Sequence, residues 1–204
     1  MSHGVSSRKQ SLASILLAVV ALATAGSVEA QERWTLDVRA GAAIPTGHVA
    51  GHDLGTGLGL RATVGYRFLP QTAVYADWDW HRFSPEESFA GADVDFEEAG
   101  YALGLGFEHP FSGEAGEGPA IQIRVGGTYQ RIELEDSRGG LIADSGHGVG
   151  WEAGAGIVLQ VTERLRLTPG LRYRSLSRPV TIETIRTEVA LRYVSADLAM
   201  SFSF

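Results

Sequence analysis

Residues 57–68, GLGLRATVGYRF, decide how this chain is read. Leu58, Leu60, Ala62, Val64, Tyr66 and Phe68 fall on one side of a period of two, and Gly57, Gly59, Arg61, Thr63, Gly65 and Arg67 on the other. Successive side chains of a strand point to opposite faces, so the stretch predicts a β-strand with one oily face and one small-or-charged face. The same alternation recurs in 34–42, 74–80, 101–107, 121–129, 149–161, 165–173 and 194–204. Eight such strands and no helical period predict an all-β fold, an antiparallel up-and-down barrel.

The connections sort into two ends. Residues 69–71 and 162–164 are tight turns, whereas 44–55, 84–95, 135–147 and 177–188 read as long polar loops; the Gly- and Glu-rich 110–119 goes with the turn end. With the apolar face outward, Trp34, Tyr66, Phe68, Phe107, Phe202 and Phe204 lie at the turn ends of their strands. Trp80, Tyr101, Tyr129, Trp151 and Tyr173 lie at the loop ends. Two aromatic rings bracketing Leu, Val, Ile and Ala suit a lipid-facing wall, because amphipathic rings settle at both membrane interfaces. A soluble lipocalin-like barrel also has eight strands, but it predicts no sorting of aromatics by strand end. Tyr101 to Phe107 spans roughly 15 Å of height after tilt, short of the apolar belt of about 25 Å, so the rings are expected partly within the bilayer edges.

The other face carries Asp37, Arg39, Arg61, Arg67, Asp77, Asp79, His81, Glu108, Gln122, Arg124, Gln130, Glu152, Gln160, Arg166, Arg172, Arg174 and Asp197. An eight-stranded barrel is only wide enough for side chains to fill, so its seven Arg and six carboxylates are expected to pair and close the lumen. Glycines on the same face, among them Gly104, Gly126 and Gly154, are expected to leave room for long Arg side chains from the opposite wall.

Residues 1–30 read as a secretory signal peptide: Arg8 and Lys9 lead an apolar run, and Val28-Glu29-Ala30 precedes the expected cut. The barrel domain is then 31–204. Taking out Arg8, Lys9 and Glu29 lowers the 17 basic and 24 acidic groups to 15 and 23, and Lys9 is the only lysine. A net-acidic mature chain with no Lys and no Cys lacks a phosphate-loop lysine, a thiolate metal site and a nucleic-acid footprint.

These features, with Leu198, Met200, Phe202 and Phe204 alternating to the C-terminus, make the mature chain similar to small outer-membrane β-barrels of the OmpA/OmpX and opacity-protein type. The resemblance implies an outer-membrane location with both termini periplasmic, and Phe204 as the signal read by the barrel-assembly machinery. It implies contact with outer-membrane lipids and lipopolysaccharide, a host or phage surface molecule as a candidate loop ligand, and a monomer. No periplasmic domain is expected after the barrel, so a peptidoglycan-binding role is not implied.

No constellation argues for chemistry. Asp144-Ser145-Gly146-His147 holds the residue types of a triad, but working triads are assembled from separated positions. Some outer-membrane barrels deacylate lipid A with His and Ser two apart on a strand; here the order is reversed in a loop, and His81 and Ser84 are three apart with opposite facing. The acidic stretch from Glu86-Glu87 to Glu97-Glu98 has no calcium-loop spacing and reads as solvated charge, and the strand glycines lack a dinucleotide fingerprint. The expectation is a non-enzymatic barrel with no cofactor and no metal, serving envelope integrity and surface contact through four loops. A small gated porin and a lipid A deacylase-like enzyme are the alternatives.

Overall fold

The computed structural model describes residues 33–47, 54–84, 94–111, 118–136, 140–182 and 185–204; the expected signal peptide lies outside them. The strands are β1 (Trp34–Pro45), β2 (Gly57–Leu69), β3 (Thr72–Phe83), β4 (Val94–Pro110), β5 (Ala120–Asp136), β6 (Leu141–Asp144), β7 (Gly148–Gln160), β8 (Leu165–Ile182) and β9 (Ile185–Ser203). Every pairing is antiparallel, and the ladder from Thr35↔Ser203 to Pro45↔Tyr193 joins β1 to β9 and closes the ring. Eight strands form the barrel, because β6 pairs with β5 alone, outside the ring. Closure gives each of these eight strands a partner on both edges, which a wall in hydrocarbon requires.

Two expected loops are instead ladder. Residues 177–188 extend the β8–β9 hairpin as far as Ile182↔Ile185, and within 135–147 the chain folds back as β6 onto Glu133 to Glu135. Pairing supplies the backbone hydrogen bonds that polar side chains alone would leave to water. At Pro169, which has no N–H to give, the β7–β8 ladder skips from Gly156↔Gly170 to Leu159↔Leu167.

The strands run well beyond the loop-end aromatic ring. Seven residues separate Tyr101 from Val94 in β4, about 17 Å of height after tilt. Across that ring the two faces exchange character while the pleat keeps its phase. Below it, β5 points Ile121, Ile123 and Val125 outward and Gln122 and Arg124 inward; above it, Arg131, Glu133 and Glu135 point outward and Ile132 and Leu134 inward. The outer surface is oily only where lipid covers it, and past the ring the barrel has the oil-inside pattern of a water-soluble protein.

Candidate functional site

The inward face of the wall builds the lumen, and its charged groups fall into two sets. In the first, Arg174, wholly buried, donates to Asp79 (2.6 and 2.8 Å), Glu98 (2.8 Å), Gln130 (2.9 Å) and Glu152 (2.5 Å). Arg61 donates to Asp77 (2.6 Å), to both oxygens of Glu152 (2.9 and 2.7 Å) and to Asp79 (3.1 Å). Tyr75 donates its hydroxyl to Glu152 (3.1 Å). In the second set, nearer the turn end, Arg39 and Arg172 share Asp197 (2.7 and 3.2 Å) and Arg124 holds Asp37 (2.6 Å). Arg166 and Arg67 share Glu108 (2.9 and 3.5 Å).

Two members of the charged lumen fall outside the residues expected to line it. Glu98, placed with the acidic loop, points inward and is fully buried on Arg174. The signal was its phase with Gly100 and Ala102. Arg178, placed in a polar loop, lies inside and donates to the backbone carbonyls of Gly148, Val149 (2.7 Å), Ser177 (2.7 Å) and Gln130 (3.3 Å). Carbonyls with spare lone pairs serve as its hydrogen-bond acceptors.

The loop end of the lumen is apolar rather than ionic, which corrects the expectation of a charge-filled interior. Phe83, Phe96, Ile132, Leu134, Leu176, Leu191 and Tyr193, with Ala43, Leu54 and Ala143, pack into one buried cluster above Arg61 and Arg174, and Arg178 lies at its loop-end side. His81 lies at the boundary, its ring 5.1 Å from that of Tyr193. The lumen therefore has two layers, an oily plug over a dense ion-paired block.

The inward glycines make room for rings as well as arginines. A Cβ on Gly104 or Gly126 would lie 2.6 Å from the Tyr75 hydroxyl, and one on Gly59 would lie 2.2 Å from the His81 ring. Gly170 of β8 meets an arginine from beyond its neighbouring strands, Arg39 Nη1 of β1 at 3.6 Å, whereas Gly154 lies against Arg172 of its own ladder partner β8 rather than against the opposite wall.

On the outer face Trp34, Phe68, Phe107, Tyr101, Tyr129 and Trp151 are exposed, and Tyr66, Trp80, Tyr173, Phe202 and Phe204 half-buried at the same phase. Trp34 packs on Tyr66 and Trp151 on Tyr173, 4.9 and 5.3 Å between centroids. Trp78, also exposed, adds a ring just inside Trp80.

The triad-like residues do not assemble. The Ser145 hydroxyl accepts from Ile132 N–H (2.9 Å) and donates to Gly146 O (2.8 Å); Asp144 accepts from Gly146 N–H (2.7 Å), and His147 stacks on Tyr129 at 5.1 Å. Ser84 donates to Asp95 (2.6 Å), which Arg82 also holds, outside the aromatic ring. Asp79, His81 and Glu98 come within 4.8 Å of one another, but Arg174 already supplies the positive charge between Asp79 and Glu98.

Comparison with known proteins agrees with this wall. Among curated proteins none matches the chain. Neisserial surface protein A is 16% identical with a TM-score of 0.58, over 84% of this chain and 96% of its own. OprG of Pseudomonas aeruginosa is 13% identical with a TM-score of 0.53, over 86% and 99%, and outer membrane protein W of E. coli is 12% identical with a TM-score of 0.54, over 87% and 100%. At such identities the likeness is one of fold. The family model described as the outer membrane protein beta-barrel domain matches residues 15–193, and with a closed eight-stranded wall oily between two aromatic rings, the chain belongs to that family.

Proposed function

We propose that this outer-membrane barrel is a non-enzymatic envelope protein with a closed lumen, which stabilises the membrane and offers its loop end to surface partners. The observation that carries the reading is the two-layer filling. Arg61 and Arg174 bridge strands on opposite sides of the barrel, from β2 and β8 to β3, β4 and β7. Above them the cluster around Phe83, Phe96 and Leu134 excludes water. A solute would have to break buried ion pairs and then cross an apolar layer, and either step is costly.

The same reading places the turn end and both termini in the periplasm, and makes Phe204 the group recognised during assembly. Loops joining the extended strands then face outward beside lipopolysaccharide, where a host or phage molecule would meet them. Ser145 is engaged by Ile132 N–H and Gly146 O and His147 by the Tyr129 ring, and no carboxylate bridges the two among the described residues, which supports a non-catalytic role.

Single-channel recording of the refolded, vesicle-inserted protein tests this. The expected trace has no resolvable steps. Steady discrete openings would establish a narrow pore and refute the closed lumen.

A further inference from the structure

We infer that the lumen binds a small inorganic anion of halide size where its two charged sets meet, held among Arg39, Arg61, Arg124 and Arg172. These four side chains line one internal cavity of about 20 Å³ together with Gln122 and Glu152. That is space for about one water-sized particle. Arg39, Arg61 and Arg172 are each more than nine-tenths buried.

The cavity is rich in donors that lack acceptors. Nε and Nη2 of Arg39, Nε and Nη1 of Arg124, Nε of Arg61 and Nε of Arg172 are buried without a hydrogen-bond partner among the described residues. A guanidinium has five N–H donors and accepts nothing, so an acceptor placed in the space between four of them would satisfy the donors that reach it. Charge selects the acceptor. Ion pairs divide the lumen unevenly: Arg61 and Arg174 face Asp77, Asp79, Glu98 and Glu152, whereas in the turn-end set five arginines share Asp37, Glu108 and Asp197, Arg172 lying also 4.0 Å from Glu152; around the cavity itself four arginines face the single carboxylate of Glu152. That surplus of positive charge favours an anion over a neutral water, because hydrogen bonds to an ionised acceptor are roughly twice as strong.

A second cavity of about 30 Å³, lined by Arg67, Arg124, Arg166, Glu108 and Gln122, shares Arg124 and Gln122 with the first. Its arginines would draw an anion inward, and the apolar cluster at the loop end would stop it there. The site is a dead end in the closed barrel, so binding and conduction are separate questions.

Crystals of the refolded protein grown in sodium bromide provide the direct test. The expected result is an anomalous bromide peak between the four guanidinium groups; a crystal without that peak overturns the inference. In solution, the melting temperature in sodium chloride is expected to exceed that in sodium gluconate at equal ionic strength by about 2–4 °C, once halide is several-fold above its dissociation constant. Gln122→Glu, which supplies a carboxylate to the same space, is expected to abolish the difference. Identical melting temperatures of the unsubstituted protein in the two salts overturn the inference whether or not the variant folds.

Discussion

Replacing Arg174 by Met removes the most heavily used cation in the barrel and keeps much of its volume. The side chain donates five hydrogen bonds to Asp79, Glu98, Gln130 and Glu152, all with almost no solvent exposure. Asp79 and Glu152 retain Arg61 after the change, but Glu98 has its ion pair with Arg174 alone among the described residues, and its Oε2 already lacks a partner. Stripping one partner from a buried pair costs about 3–5 kcal/mol. The expected loss for Arg174→Met is of that size, read from urea titrations of folding into lipid vesicles by tryptophan fluorescence. Adding Glu98→Gln to Arg174→Met removes the stranded charge. If the stranded carboxylate is the main cost, the double variant recovers part of the loss, a coupling within the roughly 0.5–3 kcal/mol seen for residues in one network. A single variant within about 1 kcal/mol of the parent would refute the argument, because it would mean that the carboxylates hold no net charge or that water reaches them.

Further expectations follow from the other layers of the wall. Leu103→Arg, on a lipid-facing side chain 63% exposed, is expected to destabilise by about 2–4 kcal/mol near the midplane, and a neutral result in the same titration would invert the facing. Gly104→Ala would set a methyl 2.2 Å from Val125 O and 2.6 Å from the Tyr75 ring, a clash expected to cost about 1–3 kcal/mol and to lower the vesicle-inserted midpoint; an unchanged midpoint would show that both the β5 backbone and Tyr75 yield without cost. Phe96→Ala is expected to cost about 3–5 kcal/mol by opening a void in the loop-end plug, and its stability equalling the parent's would mean the plug is not packed. Deleting Phe204 is expected to lower the amount of heat-modifiable folded barrel in outer-membrane fractions, and undiminished levels would remove it as the assembly signal.

The alternation in residues 57–68 and its seven repeats specify the barrel, and they specify facing too, because a period of two commits every second side chain to one surface. Trp34, Tyr101, Trp151 and their partners mark the membrane edges in sequence for the same reason: each side chain's face and height follow from its position along its own strand. What lies inside is another matter. That Arg174 of β8 meets Glu98 of β4, and Arg61 of β2 meets Glu152 of β7, depends on which strands face each other across the ring, a relation no single strand encodes. Glu97 and Glu98 are adjacent and alike in sequence, yet the pleat sends one out to water and buries the other. The oily plug was hidden by the same inversion of character, since Phe96, Ile132 and Leu134 keep the lumen phase while changing its chemistry. Strand identity and facing are local properties of the chain, whereas partners across a closed barrel are set by strand order, tilt and register, and exist only once the ring has closed.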